Sequence, residues 1–208
     1  MPFYRASQVV LFIFFKLFFR LKVYNVGNVP RDSRGVILAP NHVSYFDPPL
    51  LGIVVGRHIT FLAKEYLFRP LVLGAFLRWY GVLPIKSKDD DFRSVRRLIR
   101  LLKEGRCIVV FPEGTRSPDG QLQKVEGGAG FLAMKSRAHV VPVYIQGTFE
   151  AFPRNTKWFR CHSIRVYLGK AFVPAEDESL KGKEDPYLAV SEKIVGEIRK
   201  MKEEAQRA

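Results

Sequence analysis

The chain has 208 residues, and its 34 Lys and Arg outnumber 20 Asp and Glu to give a formal charge of +14. An apolar fraction of 47% suits one globular domain, or one domain with a small appendage, and excludes a mainly disordered or collagen-like chain. Two cysteines, Cys107 and Cys161, make no disulfide framework or metal pattern and suit a reducing compartment.

The charge is uneven. Residues 176–208 hold nine acids and seven bases, so residues 1–175 carry +16. An excess of that size favours anionic partners: nucleic acid, acidic lipid headgroups or phosphorylated substrates.

No acid precedes Asp32, and Phe3, Phe12, Phe14, Phe15, Phe18 and Phe19 crowd the N-terminus. The apolar run Val9–Phe15 stops at Lys16, with Arg20 and Lys22 soon after. A bilayer-spanning helix needs roughly 20 mostly apolar residues, so this segment is too short and too charged to span. On a helical wheel Arg5, Gln8, Lys16 and Arg20 fall within about 120°, with aromatics and aliphatics elsewhere. That pattern predicts an amphipathic, membrane-associated helix over 1–21, lying in the headgroup layer with its basic side chains snorkelling upward. The competing expectation is a buried core helix. The stretch KLFFRLK has no small-residue site at which a signal peptide would be cleaved.

Further along, strands are predicted at Lys22–Val26 and Gly35–Pro40, then a helix opened by Pro48 and Pro49 and running to about Gly56. A short apolar run, Ile59–Ala63, leads into helical sequence over Tyr66–Tyr80, broken near Pro70, and a short strand at Val82–Ile85. Asp91–Glu104 reads as a helix ended by Gly105, and Cys107–Phe111 as an apolar strand. Gly128–Arg137 reads as a helix, Val140–Ile145 and Ile164–Leu168 as strands, and Tyr187–Glu204 as a final surface helix. Such alternation predicts an α/β fold: a mixed, mainly parallel sheet flanked by helices, over residues 22–208. In the helix Asp91–Glu104, Arg93, Arg96, Arg97, Arg100 and Lys103 share about 120° of the wheel, opposite Phe92, Val95, Leu98, Ile99, Leu101 and Leu102. The stripe reads either as a solvated face or as a surface for anionic lipid or a phosphorylated carrier.

Two polar segments follow predicted strands, where ligands gather in α/β folds. In the first, Asn41-His42-Val43-Ser44-Tyr45-Phe46-Asp47, a continuous helix would put His42 and Asp47 roughly 140° apart. They can meet only if His42 lies in the turn before the helix and Asp47 at its N-cap. The carboxylate would then fix one imidazole nitrogen and leave the other to take a proton, the wiring of a general base; alone, the pair equally suits a structural cap. The second, Phe111-Pro112-Glu113-Gly114-Thr115-Arg116-Ser117, offers a bidentate cation at Arg116 and close backbone approach at Gly114, or else an ordinary polar turn.

Together, the HxxxxD pattern of His42 and Asp47, the FPEGTRS segment 111–117 and Val141-Pro142-Val143 resemble the blocks of the PlsC-type 1-acyl-sn-glycerol-3-phosphate acyltransferase family. The resemblance spans roughly residues 35–147. The family's usual Arg in its second block is replaced by Lys86 in Gly81-Val82-Leu83-Pro84-Ile85-Lys86, a point charge without the bidentate fork.

The resemblance implies a fatty acyl group moving from acyl-CoA or acyl-carrier protein to the sn-2 hydroxyl of lysophosphatidate, giving phosphatidate without an acyl-enzyme. It implies His42 as base, Asp47 as its orienting partner, and Glu113, Gly114, Thr115, Arg116 and Lys86 as acceptor-binding residues. Val141–Val143 would close part of the acyl-binding region. It implies no metal and no cofactor beyond the donor substrate, and a site facing the headgroup layer; positive charge at the ends of the N-terminal helix favours the cytoplasmic leaflet, and the +16 body an anionic membrane surface. Glycerol 3-phosphate or another lysophospholipid are alternative acceptors for the same chemistry.

Rival readings start from other residues. Ser44 beside His42 suggests a serine hydrolase, though no G-x-S-x-G elbow is present. His42, His58, His139 and His162 lack the spacing of a zinc site. The basic stripe suggests a non-enzymatic membrane- or nucleic-acid-binding module, but no nucleic-acid motif accompanies it and no such partner is expected.

Overall fold

The computed structural model describes residues 2–79, 81–85, 91–154, 156 and 158–207. In chain order the elements are α1 (Pro2–Phe19), β1 (Lys22–Tyr24), β2 (Val36–Pro40), α2 (Asp47–Val54), β3 (Ile59–Thr60), β4 (Leu62–Lys64), α3 (Leu71–Trp79) and β5 (Leu83–Ile85). There follow α4 (Asp91–Lys103), β6 (Cys107–Val109), α5 (Gly128–Ser136), β7 (His139–Gln146), α6 (Thr148–Ala151), β8 (Arg165–Leu168) and α7 (Pro186–Arg207). Six strands form one sheet in the order β1-β8-β7-β2-β6-β3, and β4 and β5 pair separately. Strands β7, β2, β6 and β3 are mutually parallel, while β8 runs against β7 and alongside β1. The mixed, mainly parallel sheet expected from sequence is present.

Period-two alternation splits the central strands between two apolar layers. Val36 and Leu38 of β2, with Val141, Val143 and Ile145 of β7, face a layer that includes Phe15 and Phe19 of α1 and Leu50 and Leu51 of α2. Ile37 and Ala39, with Val140 and Tyr144, face α4, α5 and α7 through Leu98, Leu102, Leu132, Ala133, Val190, Ile194 and Ile198. The C-terminal helix is thus not a surface appendage. Val190, Ile194 and Ile198 recur every four residues and are wholly buried, each contributing about 1.5–3 kcal/mol of transfer free energy.

Several boundaries differ from the sequence reading. The run Ile59–Ala63 divides into β3 and β4, which join different sheets. The first strand stops at Tyr24, where Asn25 takes a left-handed φ of 60° before a 3-10 turn. The strand after Gly105 ends at Val109, two residues short, and α6 was not predicted.

Helix α1 packs Phe15 and Phe19 into the core, with 1% and 0% exposure. Gln8 belongs to this packed side, because its Nε2 donates to the Gly52 carbonyl at 2.6 Å, so it leaves the polar stripe assigned from the wheel. The opposite side is apolar and open: Val9, Val10, Phe12, Ile13 and Leu17 are all exposed, with Lys16 and Arg20 among them. The buried-core expectation therefore holds for one side of the helix. No helix among the described residues is long and apolar enough to cross a membrane. Arg93, Arg96, Arg97, Arg100 and Lys103 of α4 are exposed on the layer opposite α1, so one flat surface cannot meet both helices' outer faces.

Candidate active site

Strand β2 delivers residues 41–47 to the carboxyl edge of the sheet. Asn41 continues the pairing with β7 by its side chain: Nδ2 donates to the Ile145 carbonyl at 3.0 Å, and the Ile145 N–H donates to Oδ1 at 2.7 Å. The chain then turns, and His42 Nδ1 meets Asp47 Oδ2 at 2.9 Å. That oxygen also accepts the N–H groups of Val43 and Ser44, each at 2.8 Å.

Asp47 is not the N-cap expected from sequence. It is the first residue of α2, with Phe46 at the cap position and no side-chain cap bond. Three donors in the preceding turn hold its carboxylate backwards, while the charge still lies at the helix's positive end. Its side chain is wholly buried, whereas that of His42 is 16% exposed. A carboxylate only accepts, so the network assigns the imidazole proton to Nδ1. Nε2 is left with a lone pair and no protein partner among the described residues.

Segment 111–117 encloses His42 from other directions. The Phe111 ring stacks on the imidazole with centroids 3.7 Å apart and planes 20° apart. The His42 N–H donates to Glu113 Oε1 at 3.0 Å, and its carbonyl accepts the Ser117 N–H at 2.8 Å. Glu113 Oε2 accepts the Gln123 N–H at 2.9 Å. Burial raises the Glu113 carboxyl above the usual glutamate range, opposed by those two amides and assisted by the charge of Asp47. With both oxygens on backbone donors inside the protein, Glu113 braces two loops. The resemblance assigns it instead to positioning the acceptor's glycerol backbone or Arg116.

The exposed part of the segment is Gly114 and Thr115, with Arg116 half-buried behind them. Gly114 has φ +67° and open space where a Cβ would stand, so it is required by backbone conformation alone. The Arg116 guanidinium lies 3.7 Å above the Tyr45 ring, and its Nη1 is buried without a partner among the described residues. A planar cation held this way keeps donors for an anion. Lys86 lies outside the described residues. Val141 and Val143 are wholly buried in the core under α1 and α2.

Ser44, Cys107 and His139 are committed elsewhere. Ser44 is wholly buried, donates its hydroxyl to the Phe152 carbonyl at 2.7 Å and accepts the Phe46 N–H at 3.0 Å. Burial pushes the Cys107 thiol up to about 12. His139 pairs with Asp32 at 2.8 Å at the start of β7, the opposite edge of the sheet from His42. Sequence reasoning missed the parts played by Asn41, Tyr45, Phe111, Ser117 and Gln123. The only signal was that they flank the recognised residues, since the partners lie up to 104 positions away.

Comparison with known proteins agrees with this geometry. The family model described as Acyltransferase matches residues 20–146. The 1-acyl-sn-glycerol-3-phosphate acyltransferase of Bacillus subtilis is 32% identical over 167 residues, covering 79% of each chain. The chloroplastic 1-acyl-sn-glycerol-3-phosphate acyltransferase LPAT1 of Arabidopsis thaliana is 30% identical over 156 residues, 74% of this chain and 44% of the relative. The chloroplastic BAT2 enzyme of Brassica napus is 29% identical over 166 residues, 78% of this chain and 48% of its own length. The chain thus spans about half the length of these plant relatives. The crystal structure of the 1-acyl-sn-glycerophosphate acyltransferase PlsC from Thermotoga maritima superposes with a TM-score of 0.76 at 26% identity, covering 97% of this chain and 76% of that one. With the matched region holding β2, the 41–47 turn and the 111–117 loop in one connected site, the chain belongs to the acyltransferase family.

Proposed function

We propose that the protein transfers a fatty acyl group from an acyl thioester to the sn-2 hydroxyl of lysophosphatidate, releasing phosphatidate and a free thiol. The observation that carries this reading is the 2.9 Å contact between His42 Nδ1 and a wholly buried Asp47, which leaves Nε2 unpartnered among the described residues. Nε2 takes the hydroxyl proton as the substrate oxygen attacks the thioester carbonyl. The C–S bond breaks, and the departing sulfur receives that proton from the imidazolium. Asp47 stays ionised throughout and stabilises the transient cation. Fixing base and two substrates in one site supplies much of the rate.

Arg116, with Thr115 and the Gly114 backbone, holds the acceptor phosphate, and Lys86 adds a further charge. Glu113 positions His42 through its backbone N–H. Donors of the CoA and acyl-carrier-protein classes both fit the chemistry, which needs no metal or other cofactor. Residues 1–21 serve as the membrane-interface helix of the catalytic domain 22–208. The open aliphatic side of α1 rests in the cytoplasmic leaflet, where lysophosphatidate resides. The names of the relatives support the acceptor, and the absence of a spanning helix among the described residues suits a protein lying on the surface.

The test is phosphatidate formation from lysophosphatidate and a labelled acyl donor in vesicles, with His42→Ala beside the natural chain. A loss of about 10²–10⁴-fold in a folded variant is expected for removal of the general base. Undiminished product from His42→Ala would refute the mechanism.

A further inference from the structure

The two longest acid-free runs of the sequence, residues 1–31 and 151–175, meet in the fold. Strands β1 and β8 pair in parallel, with Lys22 opposite Arg165. The Ile164 N–H donates to the Phe19 carbonyl at 2.8 Å, and the Lys22 N–H to the Ile164 carbonyl at 3.0 Å. Just before β8, Cys161, His162 and Ser163 line an open groove of about 440 Å³ with Leu17, Phe18 and Arg20 at the end of α1.

Phe159 pins this connection. Its ring lies 6.0 Å from Phe14 at 85°, 5.8 Å from Phe19 and 6.0 Å from Phe46. The preceding residue, Trp158, is nonetheless 83% exposed. So large an aromatic surface held open to water is uncommon, whereas tryptophan is enriched where a bilayer meets water. Arg154 and Arg160, within four residues of it in the chain, and Arg20, on the groove beside Cys161, are exposed, and no carboxylate among the described residues pairs with any of them.

We infer that residues 152–154, 156 and 158–163, together with the outer side of α1, form one surface for an anionic bilayer. Trp158 enters the headgroup–acyl boundary, and Arg20, Arg154 and Arg160 meet lipid phosphates. Continuity with the open Ile13, Leu17 and Phe18 of α1, and the lack of any acid across both runs, select lipid as the occupant. The inference rests on the reading of α1 as a membrane-resting helix and adds a second contact from a distant part of the chain. That contact adjoins the site: Phe152 accepts the Ser44 hydroxyl and lies 5.6 Å from the ring of Tyr45, which carries Arg116. Seating Trp158 therefore fixes the height of the acceptor site above the leaflet.

The chain has two tryptophans, so Trp79→Phe leaves Trp158 as the sole emitter. The full-length variant is mixed with phosphatidylcholine vesicles with and without phosphatidylglycerol, and binding is scored independently by flotation. Expected results are flotation with the anionic vesicles, a blue-shifted emission and several-fold protection from acrylamide. Arg160→Gln should weaken binding to anionic vesicles by about fivefold and leave neutral ones unaffected. Trp158→Ala should raise the apparent KM for vesicle-embedded lysophosphatidate but not that for a short-chain, water-soluble form.

Flotation with Trp158 as quenchable as in buffer would overturn the inference and leave α1 as the sole anchor. No flotation would overturn both membrane readings. Protection of Trp158 by a soluble acyl-carrier protein without vesicles would also overturn it, giving the surface to a protein. Wild type inactive on both the vesicle-embedded and the water-soluble acceptor would refute the proposed reaction separately, with the fluorescence result still deciding the surface.

Discussion

Asparagine and alanine at position 47 should separate charge from geometry. All three donors to Asp47, from His42 Nδ1, Val43 N and Ser44 N, converge on Oδ2, whereas Oδ1 is buried without a partner among the described residues. Asparagine can place its carbonyl oxygen at the Oδ2 position, retain all three bonds and remove only the negative charge. Hydrogen bonds to charged groups contribute about 1.5–3 kcal/mol against about 0.5–1.5 for neutral pairs. The imidazolium formed during transfer thus loses about 1–2 kcal/mol, which lowers kcat about 5–30-fold. The new amide nitrogen occupies the unpartnered position, and stability falls by about 1–3 kcal/mol. Alanine instead strands two buried backbone N–H groups, at about 1–3 kcal/mol each, and releases the imidazole. Stability should then fall by about 2–6 kcal/mol and kcat by about 10²–10⁴-fold. The assay is kcat and KM for phosphatidate formation, paired with thermal unfolding at about 2–4 °C per kcal/mol for a chain of this size. Wild-type kcat in Asp47→Asn would refute a role for the charge. An unchanged Tm in Asp47→Ala would refute the convergence of donors on one oxygen.

Two further substitutions probe the 111–117 loop. Arg116→Lys keeps the charge but loses the planar stack on Tyr45 and the bidentate fork, so KM for the acceptor should rise about 5–30-fold with kcat little changed. A fall in kcat at constant KM would refute a phosphate-holding role. At Glu113, burial raises the carboxyl above its unfolded value, so the folded state binds the proton more tightly. Its contribution to stability is fully present below the ordinary glutamate pKa and is lost as pH rises through the folded value. Glu113→Gln should remove that decline while lowering Tm at every pH, since its amide opposes either the His42 or the Gln123 N–H. Parallel Tm–pH profiles for the two chains would refute the assignment.

Local pattern carried the architecture and pointed to the site. The succession of strand and helix segments announced a mixed, mainly parallel sheet, and the segregated wheel of α4 announced its inward row, because each signal lies within a few consecutive residues. The His42–Asp47 contact was legible because both residues fall in one turn and the chain direction leaves few ways to join them. What stayed hidden depends on distant chain. Glu113 is a brace only because the amides of His42 and Gln123 arrive from 71 positions before it and ten after. Gln8 is a docking residue only because the Gly52 carbonyl stands opposite. The burial of α7 follows from its packing on α5 and β7, which mixed surface charge in the tail obscured.

Segment 111–117 is divided within itself. Phe111, Glu113 and Ser117 turn inward and grip the ring, N–H and carbonyl of His42. Gly114, Thr115 and Arg116, between two of those grips, lie on the accessible side. On the proposed reading, one short loop therefore fixes the base and holds the acceptor phosphate. The distance from phosphate to Nε2 is then set by this loop's own geometry and does not depend on how α1 or the 152–163 connection sits on lipid. Membrane contacts decide whether the acceptor reaches the loop. The loop decides whether an acceptor that has arrived is aligned with the base, so disturbing the surface should raise apparent KM, whereas disturbing an inward grip should lower kcat.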